Sequence, residues 1–321
     1  MTKPAIATID IGTNTTLLLV ARPAEDGGED GGEDGGEPEV LDQQAEITRL
    51  GRGIGKDGNL GAAGIAATLA ALRRYAAIAA RHGARIAAIG TEALRRAPNA
   101  ADFLTPAERT LGTPVEVISG DREAALTFRS VAASFPAEVA GGRVAMVDIG
   151  GGSTELIVSQ RGQVGFRHSF PVGSVRLHER HIHHDPATPD EQAAVAGEVA
   201  ATLAGGAGEL KRAPIDLLVG VAGTVTSLAA MSMGLSTYDP ARVHGSRLGA
   251  AALDAQIARL AGATQAQRER MAGLDPRRAD VILAGALLLR EIVRMAGVPE
   301  VRVSDRGIRW GLFFELASRG P

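Results

Sequence analysis

The chain has 321 residues, 45% of them hydrophobic and 22% charged, with a formal net charge of −3 and no cysteine. Such a length suggests about two domains, and this balance belongs to a globular protein and excludes a largely disordered one. The lack of cysteine excludes disulfides, thiolate metal sites and cysteine nucleophiles. With 3% aromatic residues and no Lys/Arg tract, a nucleic-acid polymer is excluded as a partner.

In chain order, Ala5 to Ile9 is an apolar run that Asp10 ends too early for a signal peptide, so a cytoplasmic protein is expected. Residues 9–20, Ile-Asp-Ile-Gly-Thr-Asn-Thr-Thr-Leu-Leu-Leu-Val, read as strand, Asp, small-residue turn and second strand, a β-hairpin. Residues 25–39 hold three copies of Glu-Asp-Gly-Gly followed by Glu37 and Glu39, eight carboxylates without a Lys or Arg. Without them the rest of the chain carries +5. The tract, about 24–39, lacks apolar side chains and is expected to be a disordered, solvated loop. Metal buffering or repulsion of an anionic ligand is the alternative. Gly51-x-Gly53-x-Gly55-Lys56 has Asp57 where a P-loop needs Ser or Thr, and Leu50 where the first Gly belongs, so it reads as a flexible loop. Ile65, Leu69, Leu72, Ala76 and Ala79 form an apolar stripe at helical spacing. Ile86 to Ile89 is a strand leading into Glu92 to Arg96, and Val115 to Ile118 is another. Asp121 then caps a helix running to about Ser134.

Residues 147–158, Val-Asp-Ile-Gly-Gly-Gly-Ser-Thr-Glu-Leu-Ile-Val, repeat the first hairpin with six of twelve positions identical, 138 residues on. A repeat at nearly half the chain length indicates two similar domains, since solenoid periods are far shorter. Glycines in such a turn let the backbone approach an anion, and successive N–H groups form a concave anion site. The Asp at the strand end, Asp10 or Asp148, can hold Mg²⁺ or another divalent cation against the same phosphate oxygens. His178, His181, His183, His184 and Asp185 follow as a dense cluster, read as a solvated loop with Zn²⁺ binding as the alternative. Leu217 to Tyr238 is a 22-residue uncharged run, but its glycines, Thr224, Thr226 and Ser227 favour strand, turn and helix over a membrane span. There Gly223 and Thr224 would present N–H groups to phosphate at a helix N-terminus, or simply form a packing turn. Helices near 189–212, 249–261 and 277–297, a strand at Val301 to Val303 and a last helix from Ile308 to Ala317 complete an α/β pattern of mixed sheets flanked by helices.

The two Asp-x-Gly hairpins and Ala222-Gly223-Thr224 resemble the phosphate and adenosine motifs of the actin/Hsp70/sugar-kinase superfamily. Within it the chain resembles the exopolyphosphatase/guanosine pentaphosphate phosphohydrolase (Ppx/GppA) family through Ile47 to Gly51, Thr91 to Asn99, Ile118 to Ala124, Pro171 to Leu177 and Val303 to Arg309. Leu17, where the family commonly has Arg or His, Glu92, where it has Ser, and Trp310, where it has Glu, depart from the pattern. The resemblance implies two ribonuclease H-like (actin-like ATPase) domains with an interdomain cleft. They would span 1–121 and 122–304, with a C-terminal helix at 305–321 packing back on the first.

The same resemblance implies Glu123 as general base, where the residues alone would suggest a helix-dipole role. It implies Asp10 and Asp148 as Mg²⁺ holders, and backbone donors at Gly12, Thr13, Asn14, Gly150, Gly151, Gly152 and Ser153 for phosphate oxygens. Glu155, which replaces Leu17 in the second copy, would help position water or metal. Arg95 is a candidate phosphate ligand or a partner of a surface carboxylate. The implied substrate is inorganic polyphosphate or guanosine pentaphosphate (pppGpp), and the chain is short, like the short exopolyphosphatases. An actin-like nucleotide-binding regulator without turnover is the reading from another class. No membrane partner is expected, and a homodimer is compatible with the sequence.

Overall fold

The computed structural model describes residues 3–24, 36–52, 54 and 58–319. The core of the acidic tract (25–35) and Gly53, Gly55, Lys56 and Asp57 of the glycine-rich loop lie outside the described residues. The chain divides into two compact units, Met1–Ser119 with Ile308–Pro321, and Gly120–Gly307.

In the first unit, β1 (Ile6–Ile11), β2 (Thr15–Arg22), β3 (Glu39–Ile47), β4 (Arg85–Gly90) and β5 (Val115–Val117) form one sheet in the order β3-β2-β1-β4-β5. The second unit pairs β6 (Arg143–Ile149), β7 (Thr154–Gln160), β8 (Gln163–Phe170), β9 (Leu217–Val221), β10 (Arg247–Gly249) and β11 (Glu300–Val303) in the order β10-β11-β9-β6-β7-β8. Both sheets follow one plan. A central strand pairs antiparallel with its hairpin partner, which pairs antiparallel with a third strand. On its other side the central strand pairs with a parallel strand, followed by a second parallel strand. The repeat read from twelve residues is therefore a repeat of five strands, to which the second sheet adds β10 antiparallel to β11 at its edge.

Strand alternation decides what lies on each face. Ala145, Val147 and Ile149 of β6 enter the larger core of the second unit, which includes Leu283 and Leu287 of the buried helix Ile282–Ala296. Val144 and Met146 point the other way, against Ala124, Phe128 and Val131 of the helix Gly120–Ser134. Asp148 is next in that second row, so it faces the helix bearing Glu123. In the first unit Ala7, Ile9 and Ile11 face a core with Leu72, Tyr75 and Phe103. Ile6, Leu19 and Ala21 face Trp310 and Phe313 of the C-terminal helix Ile308–Ser318. Burial of Phe313 alone contributes about 1.5–3 kcal/mol. Thr8 Oγ1 donates to Arg309 O at 2.9 Å, tying this helix to the strand that carries Asp10.

Several local expectations are revised. Asp121 does not cap its helix, which already begins at Gly120; it lies in the first turn, 3.6 Å from Arg167. The helical stretch near 189–212 breaks at Leu203 into Pro189–Thr202 and Ala204–Lys211. There Gly206 packs closely on the Leu156 and Phe170 side chains, where a Cβ would meet Leu156 Cδ2 at 2.8 Å, and glycines favour helix poorly. The helix near 277–297 begins at Ile282, after a 3₁₀ turn at Pro276–Arg278 whose N-terminal N–H Asp275 caps. On Ala62–Arg81 the buried face is Thr68, Ala71, Leu72, Tyr75 and Ala79. This rotation lets Tyr75 Oη donate to Thr16 O at 2.9 Å, leaving Ile65, Leu69 and Ala76 half-buried. Among the described residues no helix is long and apolar enough to cross a membrane.

The histidine cluster has a structural explanation. His181 pairs with Glu198, and His184 Nδ1 lies 2.8 Å from Glu191 Oε1. Glu191 also accepts the N–H groups of His183 and His184 and completes a capping box with Thr188. Burial would raise the Glu191 carboxyl, but the bonds from His184 and the N–H groups of Thr188, His183 and His184 outweigh it and hold the pKa at about 2. A carboxyl depressed on folding stabilises the fold above its unfolded value, near 4.5, and loses that contribution as pH falls toward its folded value. Thermal denaturation of Glu191→Gln should therefore show a deficit that is full at pH 7 and shrinks steadily between about pH 4.5 and 2.

Candidate active site

The first turn, Gly12 to Asn14, has its carbonyls drawn inward by the chain that follows β3. Gly51 N donates to Thr13 O at 2.9 Å, and Thr48 N and Arg49 N donate to Asn14 O at 3.1 and 2.9 Å. Arg49 takes up a left-handed conformation, φ 54°, to make its contact. Thr13 Oγ1 donates to the buried Glu92 carboxylate at 3.2 Å, which Arg96 neutralises at 2.9 Å. Among the described residues the N–H groups of Thr13 and Asn14 meet no main-chain acceptor. Gly12 does not fit the expectation of a phosphate donor, because its N–H closes the turn on Thr15 O at 3.1 Å.

The second turn uses the same device with different residues. Ser174 N donates to Gly150 O at 3.0 Å, Val175 N and Arg176 N donate to Gly151 O at 2.9 and 3.1 Å, and Arg176 Nε donates to Gly152 O at 3.0 Å. The strand-to-helix junction at Gly173 comes so close that a Cβ there would lie 2.6 Å from the carbonyl carbon and oxygen of Gly151. Gly150 is corrected like Gly12, since its N–H donates to Ser153 O at 3.0 Å. Among the described residues the N–H groups of Gly151, Gly152 and Ser153 meet no main-chain acceptor. Three successive donors with their carbonyls held back have the hydrogen-bonding character that an anion would require.

Beside this turn the second unit gathers carboxylates. Asp148 and Glu155 sit directly opposite each other in the β6–β7 register, both nearly inaccessible. Thr127 Oγ1 lies 3.0 Å from Glu123 O, one helical turn back, and 3.3 Å from Asp148 Oδ2. Ser169 Oγ donates to Glu155 Oε1 at 2.6 Å. Burial pushes the Asp148 carboxyl up to about 6 against the opposing bond from Thr127. Burial and the charges of Glu123 and Asp148 push Glu155 well above the usual carboxylate range, partly offset by Ser169 and Ser153. The charged groups acting on Glu155 are thus carboxylates, and hard oxygen donors of this kind suit a divalent cation such as Mg²⁺. Among the described residues no group of three or more His, Asp or Glu is assembled as a metal site.

The third turn differs from a simple anion site. Ala222 begins the helix Ala222–Ser232 at φ 69°, a strained conformation for a residue with a Cβ. A Cβ on Gly223 would overlap the Arg278 guanidinium, so that cation lies against the turn. Thr224 is buried, and its Oγ1 and Cγ2 fill the space left by Gly285 on the neighbouring helix. Arg95 donates from Nη1 to Ile118 O at 2.7 Å, joining the end of β5 to the short helix Glu92–Arg96.

Sequence reading missed Thr127, Ser169 and Arg278, and assigned no role to Thr48, Gly51, Gly173 or Arg176. The last four lie in segments that carried the family resemblance, and Thr127 follows Glu123 at helical spacing. Ser169 and Arg278 meet their partners through strand register and tertiary packing, for which a single sequence has no signal.

Two mixed sheets, each with a tight small-residue turn next to an aspartate, and the solved structures they resemble define a protein of the two-domain actin-like class. Within that class, the Ppx/GppA phosphatase family matches residues 31–319, and the chain belongs to this family. It is similar to Exopolyphosphatase 2 of Mycobacterium tuberculosis, 35% identical over 99% of this chain and 100% of that protein. Among solved structures it resembles a Ppx/GppA family member of Aquifex aeolicus, with a TM-score of 0.79 and 30% identity over 98% of each chain. It also resembles an exopolyphosphatase of Cytophaga hutchinsonii, with a TM-score of 0.87 and 26% identity over 99% of each chain. The protein is a hydrolase acting on phosphoric anhydrides, which removes the reading of a regulator without turnover.

The tie-back of the second turn yields a sharp expectation. Gly173→Ala must displace backbone, because the atoms it meets are the Gly151 carbonyl at 2.6 Å and Gly150 O at 2.8 Å. Phosphate release by that variant should fall at least about 100-fold, as for loss of an oxyanion donor. A folded Gly173→Ala with wild-type turnover would show that the turn does not bind the reacting phosphate.

Proposed function

We propose that this phosphohydrolase is an exopolyphosphatase, releasing orthophosphate from the end of inorganic polyphosphate with Glu123 as general base. The carrying observation is the placement of Asp148, Glu155 and the helix bearing Glu123 on one sheet face beside the N–H groups of Gly151 to Ser153. Those donors would hold phosphoryl oxygens in the second unit, and Thr13 and Asn14 would offer the same kind of donor in the first unit's own turn. Glu123 would orient a water for in-line attack and take its proton. A bond forms from the water oxygen to the terminal phosphorus as the bridging P–O bond breaks, leaving a chain one phosphate shorter. Asp148, and Asp10 in the equivalent place, would hold Mg²⁺, which supplies positive charge against the phosphoryl oxygens.

Polyphosphate is favoured by the name of the Mycobacterium tuberculosis relative and by the +5 charge outside the acidic tract. Arg278 against Gly223 adds a cation at the turn where the superfamily resemblance would place a nucleoside. Hydrolysis of pppGpp at its 5′ end is the second reading, because the family comprises both activities.

Two measurements test this reading. With Mg²⁺ present, kcat/KM for long-chain polyphosphate should exceed that for pppGpp, and the reverse order would transfer the assignment to the nucleotide. Glu123→Gln should lower kcat by about 10²–10⁴-fold while substrate still binds. Wild-type turnover in that variant would rule out Glu123 as the base.

A further inference from the structure

We propose that Ser169 is a positioning residue for the reaction, holding the Glu155 carboxylate in its working orientation. This deepens the reading of the second unit as the half that carries the reacting carboxylates, and rests on it. Asp148, Glu155 and Ser169 form one row across three strands: Asp148 faces Glu155 in the β6–β7 register, and Glu155 faces Ser169 in the β7–β8 register. The Ser169 hydroxyl donates to Glu155 Oε1 at 2.6 Å, a short bond of the charge-assisted kind. Glu155 is only 1% exposed, so water cannot readily replace this donor.

The first sheet has the same strand order around its hairpin, and its equivalent row is Asp10, Leu17 and Ala45, where Leu17 is half-buried and Ala45 exposed. In the second sheet the same row buries Glu155 almost completely beside Asp148, and a buried carboxyl is costly unless it is hydrogen-bonded. What distinguishes the second row is chemistry: a carboxylate beside the turn Gly151 to Ser153, with a hydroxyl that fixes which oxygen faces Ser169 and so which way the other points.

The experiment compares Ser169→Ala, Ser169→Thr, Glu155→Gln and the Ser169→Ala/Glu155→Gln double variant, reading kcat, KM and Tm on whichever phosphoanhydride the wild-type enzyme turns over. Loss of a hydrogen bond to a charged group predicts that Ser169→Ala lowers kcat at least about ten-fold, with KM changed less than about two-fold. Ser169→Thr should recover most of that loss. In the Glu155→Gln background, Ser169→Ala should cost little more, since the group it positions is gone. Ala45→Ser, in the apolar row, should leave kcat and KM unchanged. Wild-type kcat in Ser169→Ala, or a full additional loss in the double variant, would overturn the proposal. If Ser169→Ala does not fold, Ser169→Cys with its weaker donor decides: intermediate kcat supports the role, and wild-type kcat overturns it. A wrong substrate assignment would show in the wild-type enzyme alone, whereas failure of this proposal shows only in the variant ratios.

Discussion

The structure depends on how the carbonyls of two tight turns are satisfied. A tight turn of small residues presents N–H groups and carbonyls alternately, and an anion would tolerate only the former. In each unit a second segment draws the carbonyls back: Thr48 to Gly51 in one, Gly173 to Arg176 in the other. Their N–H groups, with the Arg176 guanidinium, satisfy the inward carbonyls, so the turn is preorganised before any ligand arrives. The glycine at 173 follows from that closeness, because the helix can approach the turn backbone only without a side chain there.

On this shared frame the two units have diverged in what surrounds the aspartate. The first unit offers Asp10 an apolar neighbour in Leu17 and a C-terminal helix anchored by Trp310 and Phe313. The second offers Asp148 a carboxylate in Glu155, a hydroxyl in Thr127 and a helix that carries Glu123 in its first turn. The same strand face thus sets an apolar side chain opposite the aspartate in one copy and a carboxylate in the other.

That acidity is maintained against a cost. Burial favours protonation and pushes both Asp148 and Glu155 upward, and repulsion from Glu123 and Asp148 adds to the effect on Glu155. Hydroxyls from Thr127, Ser153 and Ser169 lessen the penalty without adding charge. At the third turn the balance is reversed, with Arg278 bringing a cation against Gly223 and a strained Ala222 marking the start of the helix.

Much of this was legible in the sequence. The hairpins, the duplication, the aspartates and the glycine turns follow from local pattern, because β-hairpins and anion-binding turns are specified by residues close together in the chain. Strand periodicity also placed Asp10 and Asp148 at strand ends, and the family resemblance singled out Glu123. Local pattern could not say that Gly12 and Gly150 use their N–H groups to close the turns, since that depends on hydrogen-bond geometry and not on composition. Nor could it bring Ser169 to Glu155 or Arg278 to Gly223, pairs separated by 14 and 55 residues. Strand register and helix packing made those contacts, and only the folded chain decides them, because a one-residue shift in register would turn each side chain to the opposite face.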